Sequence, residues 1–73
     1  MTEYQAKKFV KSMYSDAKLR KEMYAFEGKI YPVYQVDQGD IDVYLSMWTD
    51  TPLMAWDAAW IEVQKRMLRK LES

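Results

Sequence analysis

The sequence predicts an α+β fold, a small α-β-β-α domain in which a two-stranded antiparallel hairpin packs with N- and C-terminal helices. Three observations carry that expectation. A capping pair opens a helical apolar pattern near the N-terminus. Two runs rich in β-branched and aromatic residues flank a glycine turn. A Thr-Pro start then opens a long amphipathic stretch. No internal repeat or linker divides residues 1–73, so one domain is expected.

The first helix is expected to begin at Thr2. Thr2 and Gln5 have the spacing of a capping box, in which hydroxyl and amide side chains satisfy each other's free backbone N–H groups. Ala6, Phe9, Val10, Met13, Tyr14 and Ala17 then recur at helical spacing, with Lys7, Lys11 and Lys18 opposite. Leu19, Met23 and Phe26 fall out of phase, and Ser15-Asp16 lies where the pattern slips. Ser and Asp favour caps, because their side chains bond nearby amides. The expectation is a kink or restart at Ser15/Asp16, a second helical piece to about Glu27, and Gly28 as its stop.

Lys29–Asp37 and Asp40–Thr49, joined by Gln38-Gly39, are expected to form the hairpin. A two-residue loop would set Val36 against Ile41, Tyr34 against Val43 and Pro32 against Leu45. One face of both strands is then apolar. The other carries Tyr31, Val33, Gln35 and Asp37 beside Asp42, Tyr44, Ser46 and Trp48. A shift by one residue would destroy that agreement.

Thr51-Pro52 opens the last helix, since Thr caps well and Pro at the first position loses no bonded amide. Leu53, Trp56, Trp60, Val63, Met67 and Leu71 form one stripe, and Met54, Ile61 and Leu68 a second beside it. Trp56, Trp60 and Val63 are expected to pack on Val43 and Leu45, with Phe9 and Met13.

Formal charge is zero, from eleven basic and eleven acidic residues, but it is unevenly placed. Residues 1–29 carry seven basic and four acidic side chains, and residues 60–73 carry four and two. Residues 30–59 carry five Asp and no Lys or Arg. An acidic middle lies between basic helices.

The chain has no His and no Cys, which removes disulfides, thiolate zinc sites and the side chain that titrates nearest neutral pH. Ser15, Ser46 and Ser73 have no His to activate them. Gly28 and Gly39 alone make no phosphate-cradling loop. Asp37, Asp40 and Asp42 cluster at a glycine turn without the spacing or terminal Glu of a calcium loop. We therefore expect no enzyme, no cofactor and no metal. No apolar run approaches a membrane span and the N-terminus has no apolar signal core, so a cytoplasmic protein without a membrane partner is expected.

What remains points to binding. Tyr31, Tyr44 and Trp48 would lie on the hairpin face where polar residues are usual, beside Asp37, Asp40 and Asp42. That surface suits a larger protein with a basic groove. If the first helix folded over it, the aromatics would become a second core layer. In size and texture the chain resembles the small accessory proteins of bacteriophages, which implies an inhibitor or adaptor. The alternatives are a small nucleic-acid-binding regulator using the basic helix faces, and a structural homo-oligomer. A two-stranded sheet is weak alone, so a homodimer that extends or stacks the sheets is a further expectation.

Overall fold

The computed structural model describes residues 2–40 and 42–72. The order is α1 (Glu3–Met13), β1 (Ala17–Phe26), β2 (Lys29–Asp40), β3 (Val43–Tyr44) and α2 (Pro52–Glu72). The α+β class and the order helix, hairpin, helix are as the sequence predicts. The predicted strand Lys29–Asp37 forms as part of β2, but its main hairpin partner is a different segment.

The capping box forms as expected. The Gln5 N–H donates to the Thr2 hydroxyl at 3.2 Å, and the Thr2 N–H donates to the Gln5 side chain at 3.0 Å. The helix then stops at Met13 instead of kinking. Tyr14 is extended, at φ −133° and ψ 92°, and its N–H closes on the Val10 carbonyl. Ser15 and Asp16 make a turn, and the expected second helical piece is strand β1. Most of its residues are good helix formers, but tertiary pairing overrides that weak preference. Glu27 and Gly28 both have positive φ, 52° and 77°, as the favoured two-residue hairpin turn requires. All ten residues of β1 pair with β2, from Ala17 opposite Gln38 to Phe26 opposite Lys29.

The sheet order is β1-β2-β3, all antiparallel. The predicted partner strand Asp40–Thr49 shrinks to two residues, and its register differs from the prediction. Asp37 faces Tyr44, Asp40 faces Val43, and Tyr34 bridges to Thr49. Tyr34 therefore does not meet Val43, nor does Pro32 meet Leu45; the Val36–Ile41 pair lies outside the described residues. The cause lies past Tyr44, where the ladder is replaced by side-chain chemistry. The Leu45 and Ser46 N–H groups both donate to the Val36 carbonyl, and the Ser46 hydroxyl accepts from the Val36 N–H at 2.8 Å. One hydroxyl thus supplies the acceptor that a regular strand would have offered. Gly39 holds φ 85°, and a Cβ there would lie 3.2 Å from the Asp16 Cβ, so the turn residue is also a contact point with the α1–β1 turn.

Thr51 caps α2 as predicted, its hydroxyl accepting from the Met54 N–H at 3.1 Å. The two helices pack together over the sheet face that carries Ala17, Leu19, Tyr34 and Val36. The core joins Ala6 and Val10 to Ala55, Trp56, Ala59 and Val63, with Leu45 beside them. Trp60 is half-buried, edge-on to Phe9 with ring centres 5.7 Å apart. Val43 and Met13, expected inside, are exposed. Val43 sits on the short third strand, on the wall of an open groove with Glu62 and Arg66. Met13 closes the last turn of α1 on its outer side. No helix among the described residues is long and apolar enough to cross a membrane.

Candidate protein-binding surface

The pairing of β1 with β2 puts even-numbered β1 residues and odd-numbered β2 residues on the face turned away from the helices. Beyond Arg20 and before Val33 nothing covers either face, and every residue from 21 to 32 is exposed. This half of the hairpin is an arm, and it contributes to the elongated 47 × 24 × 18 Å form of the chain.

The outer face of the arm is aromatic. Tyr24 lies directly opposite Tyr31, and the Tyr24 ring stacks on Phe26 with centres 6.2 Å apart and planes 15° apart. Phe26, Tyr24, Tyr31, Val33 and Asp50 line one shallow depression. Trp48 lines the next, with Val33, Tyr24 and Glu22. Trp48 reaches this face because Thr49, its neighbour, is tied to Tyr34 by two backbone hydrogen bonds of 2.7 and 2.8 Å. Glu22 and Asp50 border the patch, and Lys29 stands at its tip.

Of the six residues singled out from the sequence, only Tyr31 and Trp48 belong to this patch. Asp40 lies nine residues from Tyr31 along β2, about 30 Å at ~3.3 Å per residue. Its carboxylate accepts from the Asp42 N–H at 3.0 Å in a local turn. Tyr44 and Asp42 line a separate groove with Glu62 and Arg66. The expected single surface is therefore split between the two ends of the sheet.

Asp37 departs furthest from expectation, being fully buried. One carboxylate oxygen accepts from the Gly39 N–H at 2.9 Å, and the other is ion-paired with the Arg20 guanidinium. A buried carboxylate needs such partners, so Asp37 ties β1, β2 and the Gly39 turn together and is not a contact residue. Tyr24 and Phe26 were missed as patch residues, whereas Val33 stands on the face the sequence gives it. The signal that could have found them is Glu27-Gly28, a two-residue break between Tyr24-Ala25-Phe26 and Ile30-Tyr31.

Two further groups lie elsewhere. Arg66 sits over the Tyr14 ring at 5.7 Å and donates to Glu62 and Gln38, each at 3.2 Å. Its contact with Tyr14 above all, then with Glu62, raises the Arg66 pKa above its ordinary value against the opposing effect of burial. It is thus a charged clasp between α2, β2 and the end of α1. Lys7, Lys11 and Lys18 line a groove with Glu3, Tyr4, Leu19 and Trp56. Among the described residues, no three of His, Cys, Asp and Glu are grouped as a metal site would require. Compared with protein families, curated proteins and solved structures, the chain matches none.

Proposed function

We propose that this chain is a non-enzymatic protein-binding module, an inhibitor or adaptor, that inserts its hairpin arm into a pocket on a larger protein. The observation that carries this reading is the uncovered outer face of the arm. Tyr24, Phe26, Tyr31 and Trp48 are each about half exposed and adjoin one another. Half of four aromatic side chains amounts to on the order of 400 Å², within the range of the largest apolar patch of an ordinary monomer, which is often functional. Large aromatics also dominate binding hot spots, since they bury much area with few rotors to immobilise. With Glu22 and Asp50 at the border against Lys29 at the tip, the partner's pocket is apolar with a basic rim.

The test is capture of a partner from the native cell by the full chain, then repeated with variants. Tyr24→Ser combined with Tyr31→Ser should abolish capture while the circular dichroism spectrum stays unchanged. Asp40→Lys with Asp42→Lys should capture as the parent does. A folded Tyr24→Ser/Tyr31→Ser protein that still holds the partner would remove the arm from consideration.

A second reading has one observation in its favour, the convergence of Lys7, Lys11 and Lys18 beside Tyr4. Three cations and an aromatic ring could hold a nucleic-acid strand. Binding of single-stranded or duplex oligonucleotides that fell steeply with salt would support it. No binding at low salt would remove it.

A further inference from the structure

The face of α2 opposite its core residues carries Met54, Ile61 and Leu68, seven residues apart, exposed by 50, 47 and 59%. Ala55, Trp56, Ala59 and Val63 point the other way, into the core. An apolar residue every seven on an exposed helix supplies one of the two positions per heptad of a helix–helix seam. The arm lies on other elements, so this surface is independent of the protein-binding patch. We infer that α2 pairs with α2 of a second copy of this chain, antiparallel and centred on Ile61.

Charge selects both the partner and its direction. The first half of α2 and its lead-in carry Asp50 and Asp57 and no cation. The second half carries Lys65, Arg66, Arg69 and Lys70 against Glu62 and Glu72. Parallel pairing sets like against like. Antiparallel pairing sets the acidic half of one helix along the basic half of the other, twice over by symmetry. With Ile61 on the two-fold axis, Met54 falls against the partner's Leu68. Asp57 falls against the partner's Lys65, and Ala58 against the partner's Gln64. Along the seam of this register apolar meets apolar and Asp57 meets Lys65. Ala58, a small residue on the seam, lets the helices approach.

A seam of two heptads, about four turns, buries less than a standard interface, so the dimer belongs to the weak, concentration-dependent class.

The experiment is sedimentation equilibrium of the full chain from micromolar to millimolar concentration. The parent should shift from monomer to dimer across that range. Ile61→Glu, which places two carboxylates on the axis at an exposed site, should be monomeric throughout with an unchanged circular dichroism spectrum. Asp57→Lys should weaken the dimer at least about tenfold, and adding Lys65→Asp should restore it, because the reversed pair is again complementary. Tyr24→Ser with Tyr31→Ser should leave dimerisation untouched, which separates this interface from the arm. A parent that is monomeric at millimolar concentration overturns the inference. So does an Ile61→Glu protein that still dimerises, or a double charge reversal that fails to rescue.

Discussion

The two long strands pair along their whole length, yet their two halves stand in different surroundings. Near the helices, Ala17, Leu19 and Val36 face Trp56 and Val63, and the opposite side is closed by Arg20 and Asp37. In the arm, Met23, Ala25, Ile30 and Pro32 on one side and Tyr24, Phe26 and Tyr31 on the other are all exposed, and the aromatics touch only one another and the Trp48 region. Backbone pairing is the same in both halves, so it is not what separates them. The base is held by side chains that have partners. The arm is held by its ladder and its turn, and carries side chains that stay about half exposed and join no core. Stability and binding are thereby assigned to opposite ends of one hairpin, and substitutions should sort accordingly.

The largest effect is expected at the base. Trp56→Ala removes the largest fully buried side chain and should cost about 3–5 kcal/mol. A 73-residue chain has a total of roughly 4–11 kcal/mol to lose, so the variant should be largely unfolded or nearly so in a urea titration. Trp60→Ala, at a half-buried site, should cost less. If Trp56→Ala and Phe26→Ala showed the same urea midpoint, the division between base and arm would fail.

Next comes the closing pair. Arg20→Ala strands a fully buried Asp37 carboxylate with only the Gly39 N–H beside it. Removing one partner of a buried pair typically costs about 3–5 kcal/mol. Arg20 itself is about one-third exposed, so water reaches the site and about 2–4 kcal/mol is the better expectation. Asp40→Lys, in the exposed turn a few residues on, should move the midpoint hardly at all. Equal effects from the two would mean that Asp37 is not held as described.

Ser46→Ala is smaller again. It removes the acceptor for the buried Val36 N–H at the point where the ladder breaks. An unsatisfied buried donor costs about 1–3 kcal/mol. Amide exchange at Val36 should quicken with it, while exchange at Tyr34, bonded to the Thr49 backbone, should not. Exchange that quickened equally at both would show the whole β2–β3 connection loosening as one.

These residues also mark where the sequence is readable and where it is not. Thr2, Gln5, Thr51 and Pro52 act through their own neighbours in the chain, so both helix starts are legible, as are Trp56 and Val63 on the α2 stripe. β1 is not, because Lys18, Leu19, Arg20, Lys21, Glu22 and Met23 suit a helix locally, and what makes them a strand is β2. The turn that pairs them uses Glu27 at positive φ, where Asn or Asp would have announced it. From that one misreading the others follow. With β1 read as helix, Arg20 has no reason to meet Asp37, so Asp37 looks like a surface charge. Tyr24 and Phe26 fall on the second helical piece instead of in a patch with Tyr31. Ser46 is hidden for a different reason, since only a broken ladder gives its hydroxyl a role.

The smallest effect on stability is expected in the arm, and it is the sharpest test of the comparison. Tyr24 and Tyr31 face each other across β1 and β2, and the Tyr24 ring stacks on Phe26. A cross-strand aromatic pair contributes roughly 0.2–1 kcal/mol, and no core contact is lost with it. Tyr24→Ser with Tyr31→Ser should therefore shift the urea midpoint by an amount near the limit of measurement, leaving the exchange rates of Val36 and Val63 as they were. The same substitutions remove about half of the aromatic surface offered to a partner, and hot-spot aromatics commonly carry 2 kcal/mol or more each. Two such losses correspond to about a thousandfold weaker binding. A stability change approaching that of Ser46→Ala would mean the arm is packed against something, and that its exposure is not what sets it apart from the base. An unchanged midpoint with lost binding would fix the division, since the residues that hold the hairpin together and those that do its work would then be disjoint.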